Sequence, residues 1–508
     1  MARSCLASKR VLLLLRLLVC LSVTLARCET VDDVFSFPIV RDGAHGSLYS
    51  DDSQRLYAAL ISLSDDSDGE QHHHHHPFDP ILISEDGIAK AATSTAWATG
   101  LTDQKDFAYF IDFSFGTPNQ TMRVTADTGS NQLWLGSHLC NSQQRCMDRA
   151  PYFNHLNSSS FRNVSGSVPV NITYGKGSVS GFLGTDKLSL GKATLSEQQF
   201  LVVDREDDSL QQQMNNTNNG IMGLSFVGGL DLRAVVSTKS KGANVKTVVH
   251  NMIAAGLLQK PMFSMWLGYG GSDKVKPNGG EITFGGINQK RFVGDINYYP
   301  VTMNVTKGYY WALGISSVQV QGKTIPTHGS LYGIVDSGSS FINVDTATFT
   351  KQILPMVQRG TTKPTGAVYY PDSKLTALDC SNVQYLPSFS LSFSSPNATT
   401  QANVLTLSPT SLAVKKVIQG KSVCVLGIMP GAFESQAGSV WILGDVFLRE
   451  YYTVYDFSEG GQIGFADAID SAASIAAAAV ATTTTKSAGV RLSFSFILAA
   501  LVLLLLHH

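Results

Sequence analysis

The apolar and polar positions of this chain run through the same order twice. A largely apolar stretch, Met122-Arg123-Val124-Thr125-Ala126, ends on Asp127-Thr128-Gly129-Ser130 and gives way to Leu133-Trp134-Leu135. Later, Leu331-Tyr332-Gly333-Ile334-Val335 ends on Asp336-Ser337-Gly338-Ser339 and returns to Phe341-Ile342. Short apolar runs punctuated by glycine and small polar residues predict strand, tight loop, strand, with the aspartate in the loop. Each half then carries two large apolar residues followed by glycine, Ile221-Met222-Gly223 and Ile442-Leu443-Gly444. The repetition predicts two related lobes, each contributing one carboxylate.

One Asp-Ser/Thr-Gly triplet is ordinary turn chemistry, with Asp bonding the backbone and Gly taking a positive φ. Two in matching surroundings describe a carboxylate pair. Like charges about 3 Å apart cannot both ionise, so one group stays protonated as an acid while the other acts as a base. Such a pair can hydrolyse a peptide without a metal or a covalent nucleophile.

Longer stretches extend the pattern. The chain resembles the pepsin-like aspartic proteases from about Tyr109 to Ala466. The resemblance is carried by FSFGTPNQTMRVTADTGSNQLWL at 113–135, FNHLNSSSF at 153–161, NITYGKGSVSGFLGTD at 171–186 and NNGIMGLSF at 218–226. In the second half it is carried by GGEITFGGINQKRFVGDINYYPVT at 279–302, YYWALGISSVQVQGKTI at 309–325, WILGDVFLREYYTVYDF at 441–457 and IGFA at 463–466. It implies an all-β, bilobal acid-protease fold with the cleft between two related lobes. Asp127 and Asp336 would hold the attacking water. The hydroxyls of Thr128 and Ser337 would lock the two loops together, with Gly129 and Gly338 lining the site. Ser130 and Ser339 would bond the outer carboxylate oxygens. Tyr174 resembles the tyrosine of a mobile flap, with Gly175 and Gly177 at its tip and Trp134 as its partner. Lys176 departs from the small polar residue commoner there. A relative that binds peptides or glycans without cleaving them would be expected to lack an aspartate or the flap tyrosine, and all three are present.

Leu-rich residues behind Lys9 and Arg10 read as a secretory signal peptide over 1–26. Residues 27–105, low in complexity and His-rich, occupy the place of an inhibitory prosegment. That region is acidic where the family's is basic, leaving Lys90 and Lys105 as candidates to mask the aspartates. His72 to His76 read as a low-complexity run; they would also gain charge as pH falls through about 6.5. The lobes are placed at 106–295 and 296–468, followed by an Ala/Thr-rich stalk at 469–491. The apolar tail, 492–508, fits a GPI-attachment signal with Ala481 to Thr483 as the site, or else a single membrane span.

Four cysteines, Cys140, Cys146, Cys380 and Cys424, remain beyond the signal and Cys28, and sequence alone allows three pairings. The resemblance selects Cys140–Cys146 and Cys380–Cys424. Sequons begin at Asn119, Asn157, Asn163, Asn171, Asn215, Asn304 and Asn397, in keeping with passage through the secretory pathway to the cell surface or an endomembrane. The formal net charge of −1 gives no reason to expect nucleic acid. No zinc-ligand spacing, nucleophile elbow or phosphate loop occurs, so neither metal nor organic cofactor is expected. The expected partners are a polypeptide substrate and a membrane, with the chain itself monomeric.

Overall fold

The computed structural model describes residues 96–471 except 105–107, 142–145, 147–151, 167–168, 175–176, 208–217, 227–245, 269–274, 303–308, 328, 395–403, 419–420 and 436–437. The signal peptide, the His72–His76 run, Lys90, Lys105, the tail and Asn215, Asn304 and Asn397 therefore lie outside the described residues. So do Gly175 and Lys176.

Burial periodicity separates outer strands from inner ones. Val170–Tyr174 alternates buried and exposed positions, as a strand with one wet face must. Leu133–Gly136 and Gly220–Gly223 are buried at every position, as in strands covered on both faces. Among the described residues the strands form sheets of fourteen, nine and four members. Among the described residues the helices are short; Val248–Ala254 is capped by the Thr247 side chain, which accepts from the His250 N–H.

The same crossing is built twice. Gln120–Asp127 lies parallel to Gly220–Gly223, with Asp127 opposite Gly223, while Leu133–Gly136 pairs antiparallel on the other side. In the second half Leu331–Val335 lies parallel to Gly438–Leu443, with Val335 opposite Leu443, and Ile342–Val344 pairs antiparallel. The predicted apolar-apolar-Gly segments are thus the strands threaded behind each aspartate loop. Their glycines are required by space. A Cβ on Gly223 would meet the backbone of Ser130 to Gln132, and one on Gly444 the carbonyls of Ser339 and Phe341.

The fourteen-stranded sheet draws on both halves of the sequence. Met262–Leu267 pairs with Tyr451–Asp456, which pairs in turn with Gln462–Ala468 and through it with Phe292–Pro300. Phe292–Pro300 spans the position where the sequence reading divides the lobes, and it is one continuous strand of this sheet. Trp97–Gln104, assigned from sequence to the prosegment, is also a strand of this sheet and pairs with Val275–Phe284. Its Leu101 is fully buried, and Trp97 meets Phe284 at 4.8 Å between ring centroids. Trp311 joins the halves from inside, donating from Nε1 to the Leu224 carbonyl at 2.9 Å while packing on Phe226, Tyr455 and Phe457.

The two disulfides are Cys140–Cys146 and Cys380–Cys424, the pairing the resemblance implied. They fit an oxidising compartment. Asn119, Asn157, Asn163 and Asn171 are exposed. Among the described residues no helix is long and apolar enough to cross a membrane.

Candidate active site

Asp127 closes its strand and Asp336 follows its own by one residue, so both carboxyls sit where a strand breaks into a loop. The loops are fastened by four reciprocal hydrogen bonds. Thr128 N donates to Ser337 Oγ at 3.0 Å, and Ser337 N donates to Thr128 Oγ1 at 2.9 Å. The same hydroxyls donate to backbone of the opposite half, Thr128 Oγ1 to the Val335 carbonyl at 2.8 Å and Ser337 Oγ to the Ala126 carbonyl at 2.7 Å. Each hydroxyl therefore accepts one bond and gives one across the interface, so its single proton is spent on the opposite half. Loss of the Thr methyl at 337 costs none of these bonds.

The fastening brings each aspartate against the other half's glycine. A Cβ on Gly129 would overlap the Asp336 carboxyl, and one on Gly338 the Asp127 carboxyl. Each glycine N–H also donates to its own half's aspartate at 2.8 Å, Gly129 to Asp127 Oδ1 and Gly338 to Asp336 Oδ1.

Both carboxyls are fully buried, and that desolvation dominates their ionisation. It pushes Asp127 up to about 6, against hydrogen bonds from Ser130 and Gly129 that favour its charged form. Asp336 is pushed well above the ordinary carboxylate range, first by burial and then by the neighbouring Asp127 charge. The outer oxygens differ as well. Ser130 Oγ donates to Asp127 Oδ2 at 2.5 Å. The corresponding hydroxyl of Ser339 turns elsewhere: it donates to the Phe341 carbonyl at 3.4 Å and accepts from Asn343 Nδ2 at 3.2 Å. Asn343, itself buried, engages Ser339, so Asp336 lacks the serine bond that Asp127 has. Asp127 is thus the better stabilised anion and Asp336 the better proton holder. The pair can store one proton between two unequal sites.

Tyr174 ends one arm of a hairpin, paired with Gly177 at the start of the other. Its hydroxyl is buried, and burial and the Asp127 charge, in that order, raise its pKa well above the ordinary phenol value. Trp134 lies beside it, interacting with the phenol, yet neither Tyr174 Oη nor Trp134 Nε1 has a hydrogen bond of good geometry among the described residues.

Two tyrosines escaped the sequence reading. Burial and then the charges of Asp336 and Asp127 raise Tyr310, which places its phenol within electrostatic reach of both carboxyls. Tyr455 is raised chiefly by burial, opposed by an interaction with Thr128 and increased by the charges of Asp336 and Asp445, and it stacks on Phe263 at 4.6 Å. Both lie in stretches that carry the family resemblance, which was the available signal, but neither stretch shows how far its tyrosine reaches. Of potential metal ligands, Cys140, Cys146 and Glu206 lie together, but the two sulfurs are bonded to each other and are not thiolates.

A mostly β, two-lobed body with facing Asp-Ser/Thr-Gly loops defines the aspartic proteinase class of fold. A profile of the family described as eukaryotic aspartyl protease matches residues 108–468, and the chain belongs to that family. It is 31% identical to cathepsin D of Dictyostelium discoideum over 370 residues, which cover 73% of this chain and 85% of the relative. Against cathepsin E of Rattus norvegicus the identity is 32% over 375 residues, covering 73% and 82%. The aspartic proteinase from Irpex lacteus shares the fold with a TM-score of 0.59 at 24% identity, covering 75% of this chain and 99% of its own.

Proposed function

We propose that the protein is an aspartic endopeptidase in which Asp127 is the general base and Asp336 the general acid. The observation that carries the reading is the reciprocal fastening that sets each carboxyl against the opposite half's glycine, with Asp127 the more readily ionised of the two. Ionised Asp127 takes a proton from water as its oxygen attacks the scissile carbonyl carbon, while Asp336 gives its proton to the carbonyl oxygen. The resulting gem-diol collapses: a diol proton returns to Asp336, Asp127 passes its proton to the amide nitrogen, and the C–N bond breaks. Both carboxyls come from one chain, so a monomer suffices. An extended peptide would lie under the Tyr174 hairpin, which closes to exclude water.

We further propose that the chain is made as a secretory zymogen and held at a membrane by its C-terminal tail. Treatment of intact cells with a phosphoinositide-specific phospholipase is expected to release the protein if the tail has been exchanged for a lipid anchor; retention would favour a span.

Cleavage of a denatured protein at acid pH tests the main reading. Wild type should cleave after activation, and Asp127→Asn should lose at least about a thousandfold in kcat, the scale of removing a general base together with its charge. Equal rates in both, or no cleavage by the wild type, would replace the enzyme with a peptide- or glycan-binding relative.

A further inference from the structure

The Tyr174 hairpin is tied to the rest of the molecule in an unusual way. Its second arm, Gly177–Leu190, runs antiparallel to Ala193–Glu206, and the last residue pair in that register is Val179 with Glu206. One step further out Ser178 faces Thr173 within the hairpin and turns its own polar groups toward Asp207. Asp207 N donates to the Ser178 carbonyl at 3.0 Å, as a ladder residue would. The return bond does not go to a backbone carbonyl. Ser178 N donates to Asp207 Oδ2 at 2.5 Å, and Ser178 Oγ donates to the same oxygen at 3.0 Å.

We propose that Asp207 is a positioning residue for the reaction: its carboxylate replaces the ladder carbonyl and sets the height of the Tyr174 hairpin beside Asp127. Charge-assisted bonds are about twice as strong as neutral ones, so this is a strong tie just beyond the last register pair of the described hairpin and the strand behind it. Its place matters. Ser178 adjoins Gly177, whose φ of 123° is a glycine conformation, and Gly177 is the partner of Tyr174. Among the described residues, the ladder beyond the clamp is the hairpin's own. A displacement at Ser178 therefore passes through one residue to the phenol that lies in the field of Asp127.

The inference rests on the endopeptidase reading, and the experiment separates the two. Wild type, Asp207→Ala, Asp207→Asn and Ser178→Ala would be compared for peptide cleavage and for inhibition by a peptide bearing a non-hydrolysable hydroxyl in place of the scissile amide. Asp207→Ala is expected to raise KM and the inhibition constant about tenfold, with a smaller change in kcat, the scale of losing one charge-assisted bond. Asp207→Asn retains a carbonyl acceptor for the Ser178 N–H and should recover much of the loss. Ser178→Ala, which removes only the hydroxyl bond, should fall between, and adding it to Asp207→Ala should change nothing further. A lower Tm for Asp207→Ala with unchanged KM and inhibition constant would reduce Asp207 to a structural role and overturn the proposal. If Asp207→Ala does not fold, Ser178→Ala decides: an unchanged inhibition constant overturns. If the wild type cleaves nothing, the endopeptidase reading falls, and hydrogen exchange at the Ser178 amide reads the clamp alone. Faster exchange in Asp207→Ala keeps the clamp and equal exchange removes it.

Discussion

At the scale of single residues, the site opposes stability to chemistry. Asp336 keeps its proton to higher pH in the folded protein than in the unfolded chain, because burial and the Asp127 charge both penalise ionisation. Its contribution to stability is therefore fully present below about pH 4 and is lost as pH rises. Asp336→Asn, isosteric and neutral at every pH, is expected to melt a few degrees above wild type at pH 7, with the gain vanishing near pH 4. A thermal melt at the two pH values checks this; a variant that melts lower at pH 7 would contradict it. Asp127 spends both oxygens on Gly129 and Ser130, so its replacement also breaks the serine bond that Asp336 does not have. That Asp127, Asp336, Thr128 and Ser337 face one another across the two loops was legible in the sequence because the motif that holds them repeats. Ser339 was not, because its partner is chosen by Asn343, a residue the motif does not contain.

At the scale of elements, the threaded strands set what each aspartate loop can tolerate. Gly444 lies against two backbone carbonyls, which cannot move aside as a flexible side chain can. Gly444→Ala should cost about 3 kcal/mol of stability through overpacking and should also abolish cleavage. Gly256→Ala is the control: its φ is 63° with nothing within 4 Å of a Cβ, so the cost should be about 1 kcal/mol of backbone strain, with activity intact. Chemical denaturation of both variants would separate crowding from conformation. The apolar-apolar-Gly pattern announced these strands, since burial on both faces demands it. What the pattern could not give was the far side of each strand. Tyr310, Tyr455 and Asp207 acquire their neighbours through pairings between distant segments, and no periodicity within their own segments records that.

At the scale of the molecule, the large sheet makes the two halves one unit. Trp97–Gln104 covers Val275–Phe284, burying Leu101 and packing Trp97 on Phe284. A chain that starts at Ala108 gives up this strand. It should lose about 4 kcal/mol from those two side chains alone, relative to one that starts at Ala96. The mature N-terminus is accordingly expected upstream of Trp97, and N-terminal sequencing of the active form checks it. The sequence reading places these residues in the prosegment, on the composition of about 28–105 and its place ahead of the family match. A strand that pairs far along the chain carries little signal of its own.

Tyr451–Asp456 lies beside Met262–Leu267, and that arrangement also governs timing. Residues 451–468 are synthesised after everything else that forms the site, yet the strand from the first half waits for them with one edge bare. Until then that edge is an unpaired row of N–H and C=O groups, the kind of template on which another chain can add a strand.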